Sequence, residues 1–294
     1  MRSVISASRR TDIPAFYSQW LLNRIAAGFA AYYHPFTGRR YEVSLAPDDV
    51  SCFVFWTKNL GPLLPALPRL AERYRFYIHF TITGLPRYLE PNVPPPEQTI
   101  AQFRQAAAQF GARCMLWRFD PIIFDQNIGA QATIARFDRL SALLEGYTER
   151  CYTSFVSLYA RTLRNTARAG VAVRDPSLEE KLELLAQLVA IARERGMTIF
   201  SCCDDALVGR GVRKARCIDP ELVRAIGAPP PDDFRPAPSR KMCGCYRSVD
   251  IGGYDLCPAG CLYCYANANP KRARAAWRAH DPQAPALLDP AHAT

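Results

Sequence analysis

Cys52-Phe-Val-Phe-Trp56 is the stretch on which the fold turns. Its apolar residues leave no polar face, so as a strand it has to be buried on both sides, the habit of a parallel sheet covered on both faces. Working outward, similar apolar, β-branched or aromatic runs recur at Val4–Ser6, Phe76–Thr83, Cys114–Phe119, Cys151–Ser157 and Thr198–Cys202. Between them lie longer stretches with helical spacing, at Ala15–Ala27, Leu63–Arg73, Pro96–Phe110, Ala130–Leu144 and Leu178–Arg195. Such alternation predicts an α/β fold of βα units around a parallel sheet, a partial TIM-type (β/α)6 barrel. Residues Tyr32–Val43 break the rhythm and are expected to add a hairpin or loop. Asp175-Pro176-Ser177 and Gly196 punctuate the last long helix with an N-cap and a C-terminal glycine.

The chain has 294 residues, 49% of them hydrophobic, which suffices for a proper core. After Gly227 the texture changes: Pro229-Pro230-Pro231 and Pro236-Ala237-Pro238 make a stiff connection. The expected organisation is a βα-repeat unit over 1–227, a cysteine-rich segment over 228–270 packed on its active face, and a flexible tail over 271–294. Ser248-Val249-Asp250-Ile251 is expected as a short seventh strand leading into the cysteine loop. No stretch approaches the roughly 20 apolar residues of a membrane helix. Met1-Arg2-Ser3-Val4-Ile5-Ser6 lacks the apolar region of a signal peptide, so a cytoplasmic protein without a membrane partner is expected. The net charge of +10 makes an anionic partner chemically reasonable. Most of it is arginine spread over helix surfaces, with a local cluster at Lys271, Arg272, Arg274 and Arg278, so nucleic acid is open as a partner without being favoured.

Eleven cysteines in a chain of this length, without a secretion signal, read as thiolates for metal rather than as disulfides. Cys257-Pro-Ala-Gly-Cys261-Leu-Tyr-Cys264 spaces three thiols so that one loop can wrap three corners of an iron–sulfur cube and leave one iron open. Gly260 lets the loop turn tightly. Structural zinc is the bland alternative, but closed zinc sites favour four ligands and paired spacing. A possible second metal site is Cys202, Cys217, Cys243 and Cys245, for an auxiliary iron–sulfur cluster or zinc, the alternative being small buried residues. Cys203, next to Cys202 on a strand, is expected to point away. Cys52, Cys114 and Cys151 are expected in the core.

The triplet, with Tyr263 just before its third cysteine, resembles the cluster motif of radical S-adenosylmethionine (SAM) enzymes. That resemblance implies a [4Fe–4S] cluster on Cys257, Cys261 and Cys264, SAM on the open iron, Tyr263 beside the adenine, and hydrogen abstraction by a 5′-deoxyadenosyl radical. It further implies an electron donor such as a flavodoxin or ferredoxin. Residues 1–268 also resemble a bacterial family of unknown function ending in such a cluster. The likeness runs through Ser6-Ala-Ser-Arg-Arg-Thr-Asp-Ile-Pro14, Phe55-Trp-Thr-Lys-Asn59, Trp117-Arg-Phe-Asp-Pro121 and Asp250-Ile-Gly-Gly-Tyr254 through Cys264-Tyr-Ala-Asn267. One departure stands out: the superfamily carries its triplet after the first barrel strand, whereas here it comes last. A circular permutation, with Ser248–Ile251 as the superfamily's first strand, reconciles the two.

In a parallel barrel the chemistry gathers at the C-terminal strand ends. That rule nominates Ser8, Arg9, Arg10, Asp12, Thr57, Lys58, Asn59, Thr83, Arg118, Asp120, Ser157, Tyr159, Asp204 and Asp205. Catalytic candidates are Arg9, Asp12, Arg118 and Asp120; cofactor-binding candidates are Tyr263, Lys58, Asp120 and Asp204. Arg9 and Arg10 suit a carboxylate of SAM or substrate. Asp12 is equally a helix N-cap, Arg118 equally the partner of a buried carboxylate, and Asp204 and Asp205 equally caps or acceptors for ribose hydroxyls. His79 reads as a satisfied core residue. The leading expectation is a radical SAM enzyme with an unidentified substrate, for which the positive charge makes an anion chemically reasonable. Its alternatives are a zinc-stabilised nucleic-acid-binding protein and a DNA-repair enzyme of the spore-photoproduct-lyase kind.

Overall fold

The computed structural model describes residues 1–287. In chain order the elements are β1 (Ser3–Ala7), α1 (Ile13–Phe16), α2 (Ser18–Ala27), β2 (Phe29–Tyr33), β3 (Arg40–Ser44), β4 (Val50–Thr57), α3 (Leu67–Arg73), β5 (Phe76–Thr81) and α4 (Pro96–Phe110). There follow β6 (Met115–Ile122), α5 (Ala130–Leu144), β7 (Arg150–Phe155), α6 (Ala160–Arg168), α7 (Leu178–Glu194), β8 (Thr198–Ser201), β9 (Val212–Lys214), α8 (Pro220–Ala225), β10 (Val249–Asp250) and α9 (Pro270–Arg278). Eight strands form one sheet in the order β10-β1-β4-β5-β6-β7-β8-β9. Every pairing in it is parallel. The architecture is α/β, a large parallel sheet flanked by helices.

Burial on both sheet faces explains the continuous apolar runs. Phe53 and Phe55 of β4, Ile78 and Phe80 of β5 and Trp117 and Phe119 of β6 pack outward with Phe103 of α4, Phe137 and Leu140 of α5, and Leu184 and Leu188 of α7. Trp117 stacks on Phe137 at 5.0 Å between ring centroids. The alternate residues Val4, Cys52, Val54, Tyr77, Leu116 and Tyr152 face the other way. They are covered by one late segment that includes Cys217, Ile218, Leu222, Val223 and Cys245. Tyr77 donates its hydroxyl to the Cys217 carbonyl at 2.9 Å, stitching that cover to the sheet.

The six expected strands and five expected helical stretches are present, with Ala15–Ala27 divided at Tyr17 into α1 and α2. Residues around Tyr32–Val43 form an antiparallel hairpin of β2 and β3. Val249–Asp250, inside the expected seventh strand, pairs with β1 in the register Ile5↔Val249 and Ser6↔Asp250. Arg118 and Asp120 lie inside β6 rather than beyond it, and Thr83 lies past the end of β5. Three short helices, α6, α8 and α9, and strand β9 were not anticipated. The region expected as a loose tail contains α9, and residues beyond it are packed: Trp20 Nε1 donates to the Ala284 carbonyl at 2.8 Å and Ala31 bridges Ala286. Residues 288–294 of that expected tail lie outside the described residues. Among the described residues no helix is long and apolar enough to cross a membrane.

Candidate metal centre

Because β10 runs parallel beside β1, the loop after it emerges at the same sheet end as the loop after β1. The Asp250 carboxylate ties the two together. It accepts the Ser6 hydroxyl at 2.9 Å, the Ser8 hydroxyl at 2.6 Å and the Arg9 N–H at 3.0 Å. Thr11 Oγ1 donates to the Gly253 carbonyl at 2.6 Å and Tyr17 to the Leu256 carbonyl at 2.8 Å, so residues 252–256 lie along residues 8–17. Asn92, in the loop after β5, donates to the Pro258 and Ala259 carbonyls at 3.2 and 3.1 Å. At Gly260 φ is +73°, and a Cβ there would come within 3.1 Å of Asn92 Nδ2, so glycine suits both the turn and the close approach.

This loop carries Cys257, Cys261 and Cys264, with the Cys264 N–H donating to the Cys261 carbonyl at 3.1 Å. Burial pushes the Cys257 thiol up to about 12, with the charges of Asp12 and Cys264 in the same direction, against backbone N–H groups of Asp12 and Ala259 that favour the thiolate. Burial likewise raises Cys264, against N–H groups of Ala266 and Asn267. Cys261 is raised well above its ordinary value by burial, with Lys58 opposing. Such thiols stay protonated until a metal displaces their protons, and N–H groups aimed at sulfur are a known means of tuning cluster sulfurs. Three thiols, that of Cys261 buried and the other two half-buried and facing backbone N–H groups, fit a soft metal or an iron–sulfur cluster in chemistry. The cage is not closed: among the described residues, no three or more histidine, cysteine, aspartate or glutamate side chains are grouped to hold an ion.

Around the triplet the structure assembles a buried polar group. Lys58 Nζ donates to Glu90 Oε1 at 2.8 Å, Thr83 donates to both Glu90 oxygens at 2.9 Å, and the Tyr263 hydroxyl donates to Glu90 as well. Lys58 also lies 5.7 Å from the Tyr263 ring centroid. Burial alone would lower the Lys58 pKa, but Glu90, Cys261 and Asp120 hold it above the ordinary value. Asp12 fills the capping role anticipated for it, holding the start of α1 through Ala15 N–H at 3.1 Å, and also accepts the Lys58 N–H at 2.7 Å. Burial lifts its carboxyl to about 6, against the Lys58 and Ala15 N–H groups and the Thr57 hydroxyl.

Arg118 and Asp120 pair with one another, and Ser154 also donates to Asp120. Arg9 lies 5.9 Å and Arg118 5.4 Å from the Trp56 ring centroid. Arg10 faces the Tyr254 ring at 5.3 Å. Asp204 caps a short turn through Ala206 N–H at 3.2 Å and Asp205 pairs with Lys214 at 2.9 Å, so both have the capping or pairing work open to them. Ser157 is exposed, as is Tyr159, whose hydroxyl accepts from Arg240. His79 is fully buried, its Nε2 2.9 Å from the Cys217 carbonyl, and burial and Arg118 keep it neutral. Cys52 and Cys151 are fully buried, while Cys114 is half-buried in the turn before β6.

Two residues of this region escape sequence reasoning. Glu90 lies several residues beyond β5, outside the reach of a rule that looks only at strand ends; a lone acid between Leu89 and Pro91 was its one signal. Cys203 does not point away from Cys202. Its φ is +59°, a left-handed conformation that breaks strand alternation, and its Sγ lies 3.8 Å from Cys202 Sγ.

Over residues 4–266 the chain matches the family described as "Domain of unknown function (DUF1848)". No curated protein and no solved structure matches it.

Proposed function

The chain belongs to this family of unknown function, and from that premise we propose that it is an iron–sulfur enzyme of the radical SAM type on a partial, circularly permuted βα barrel. The observation that carries the proposal is the placement of Cys257, Cys261 and Cys264: one buried and two half-buried thiols on a loop that β10 and Asp250 tie to the loop after β1, at the C-terminal end of the parallel sheet. The permutation is supported by strand order, since reading from β10 the neighbours follow one another as β1, β4, β5, β6, β7 and β8.

In this reading the three cysteines hold a [4Fe–4S] cluster that, when bound, supplies one electron and an open iron for SAM, the chemistry of hydrogen abstraction by a nucleoside radical. The chain's own residues do the rest. Lys58, fixed by Glu90, sets a positive charge beside Cys261 and offsets the thiolate charge of the loop. Tyr263 presents a ring whose hydroxyl is anchored on Glu90, so the ring plane is held for stacking. Arg9 and Arg10 offer cations for a carboxylate, and Asp120 offers an acceptor whose direction is set by Arg118 and Ser154. An electron carrier of the flavodoxin or ferredoxin kind is part of the same proposal, and the substrate class is left unassigned.

The test is anaerobic reconstitution with iron and sulfide. About four irons per triplet site are expected, lost in the C257S/C261S/C264S variant, and dithionite with SAM should release 5′-deoxyadenosine. Absence of deoxyadenosine from reconstituted protein, or the same iron content in the serine variant, overturns the reading.

A further inference from the structure

A second set of thiols gathers on the sheet face opposite the long helices. Cys202 and Cys203 stand at the end of β8, Cys217 follows β9, and Cys243 and Cys245 flank a single glycine in the covering segment. Cys202 Sγ lies 3.8 Å from Cys203 Sγ and 3.9 Å from Cys217 Sγ. The thiols of Cys203 and Cys243, of Cys243 and Cys245, and of Cys245 and Cys217 lie near enough to shift one another's protonation, which closes the ring. We propose that this ring is a second metal centre, a tetrahedral thiolate site for one zinc-sized divalent ion that draws four of the five sulfurs. It is independent of the triplet and of the radical SAM reading.

The spacing selects a single ion. With zinc–sulfur bonds of about 2.3 Å, the edge of a tetrahedron of thiolates is about 3.8 Å, the separation already present between neighbouring sulfurs. An iron–sulfur cube would need its outer sulfurs held much farther apart, because the irons lie between them. The ring is still a chain of contacts rather than a finished cage, since among the described residues no three or more such donors are grouped to hold an ion. Closing it asks for side-chain rotation and loss of thiol protons, which metal binding itself drives.

Charge and backbone support the same site. Four thiolates on a divalent ion leave two negative charges, and cations stand around the ring to offset them. Arg118 Nη1 donates to Cys217 Sγ at 3.3 Å, Arg240 Nη2 reaches Cys202 Sγ at 4.0 Å, and Arg9 faces Cys245 and Cys217. At Gly244 an added Cβ would meet the Ala215 carbonyl oxygen at 3.0 Å and Arg216 Cγ at 3.1 Å, so the turn carrying Cys243 and Cys245 can lie against the Cys217 segment only without a side chain there. The left-handed φ of Cys203 is a further local cost that brings two adjacent thiols to one side. A metal at this point would clamp the Pro-rich cover, from residue 228 to 247, onto the inner sheet face.

The test is metal analysis of the full chain, purified anaerobically and then supplied with zinc alone. About one zinc per chain is expected, kept in C257S/C261S/C264S and reduced at least tenfold in C243S/C245S. Cobalt in its place should give the ligand-field and sulfur-to-cobalt charge-transfer bands of a tetrahedral thiolate site. Should the C243S/C245S chain misfold, alkylation of the unmodified protein decides: metal should slow the labelling of Cys243 and Cys245, and a chelator should restore it. Zinc that persists in folded C243S/C245S, a chain that binds no zinc, or several irons per chain surviving in the triplet variant overturns the proposal.

Discussion

Asp250 Oδ1 accepts the Ser8 hydroxyl at 2.6 Å, although 242 residues separate the two along the chain. That bond belongs to a set in which one carboxylate, 6% exposed, also takes the Ser6 hydroxyl and the Arg9 N–H. Replacing Asp250 by alanine orphans all of these donors at once. The expected cost is about 3 kcal/mol of unfolding free energy, measured by urea titration, together with faster proteolysis of the segment after residue 248. A cost below about 0.5 kcal/mol would show that β10 does not depend on this carboxylate.

Gly252 lies against the same hydroxyl. A Cβ there would overlap Ser8 Oγ and sit 2.5 Å from Ser8 Cβ. G252A should cost about 2 kcal/mol through overpacking, and S8A introduced with it should recover part of the loss. Calorimetry of the two variants and their combination checks this, and simple additivity would be the contrary result.

Glu90 is 5% exposed and is the anionic partner of Lys58, itself 16% exposed. E90Q keeps the shape but leaves a buried ammonium without its counter-charge, so about 3 kcal/mol of stability should be lost. K58M added to E90Q should restore much of it, because the uncompensated charge is then gone. If E90Q alone is neutral by denaturant unfolding, the pair is solvated and contributes little.

Helix α7 begins with a capping box in which Ser177 accepts the Glu180 N–H and Glu180 accepts the Ser177 N–H. S177A should cost about 1 kcal/mol near neutral pH. Glu180 adds a pH signature. Its hydrogen bonds with Arg174 and then with the Ser177 N–H lower its carboxyl to about 2 from an ordinary 4.5. A depressed acid stabilises the fold fully above 4.5 and loses that contribution as pH falls through about 2. Thermal melts between pH 5 and 2 should therefore show a shallower acid decline for E180Q than for the parent chain, and parallel declines would contradict the assignment.

The parallel strands were legible because burial on both faces leaves a run such as Cys52–Trp56 without polar interruption. The triplet was legible because its three cysteines lie within eight consecutive residues, so the pattern is local in the sequence. Glu90 was not, since its position depends on how the loop after β5 folds back over the triplet, a tertiary matter. Cys203 was misplaced by the assumption of strand alternation, which fails where β8 has already ended and φ turns positive. Helix α9 carried its own start signal, Asn269 as cap followed by Pro270, but its polar and alanine-rich sequence offers little apolar periodicity. Strand β9, from Val212 to Lys214, is too short to show a pattern.

The placement of β10 also sets an order of assembly. Synthesis proceeds from the N-terminus, so β1 through β9 leave the ribosome first, and the edge of β1 stands without its outer neighbour until Val249 and Asp250 arrive. Lys58, Glu90 and Asp12 have by then been synthesised, and the segment with Cys257, Cys261 and Cys264 follows, ahead of α9 and the residues that pack on Trp20 and Ala31. Any delivery of metal to that loop during biogenesis therefore meets a scaffold that has already emerged, and nascent chains stalled before residue 249 would expose an unpaired strand edge open to mispairing.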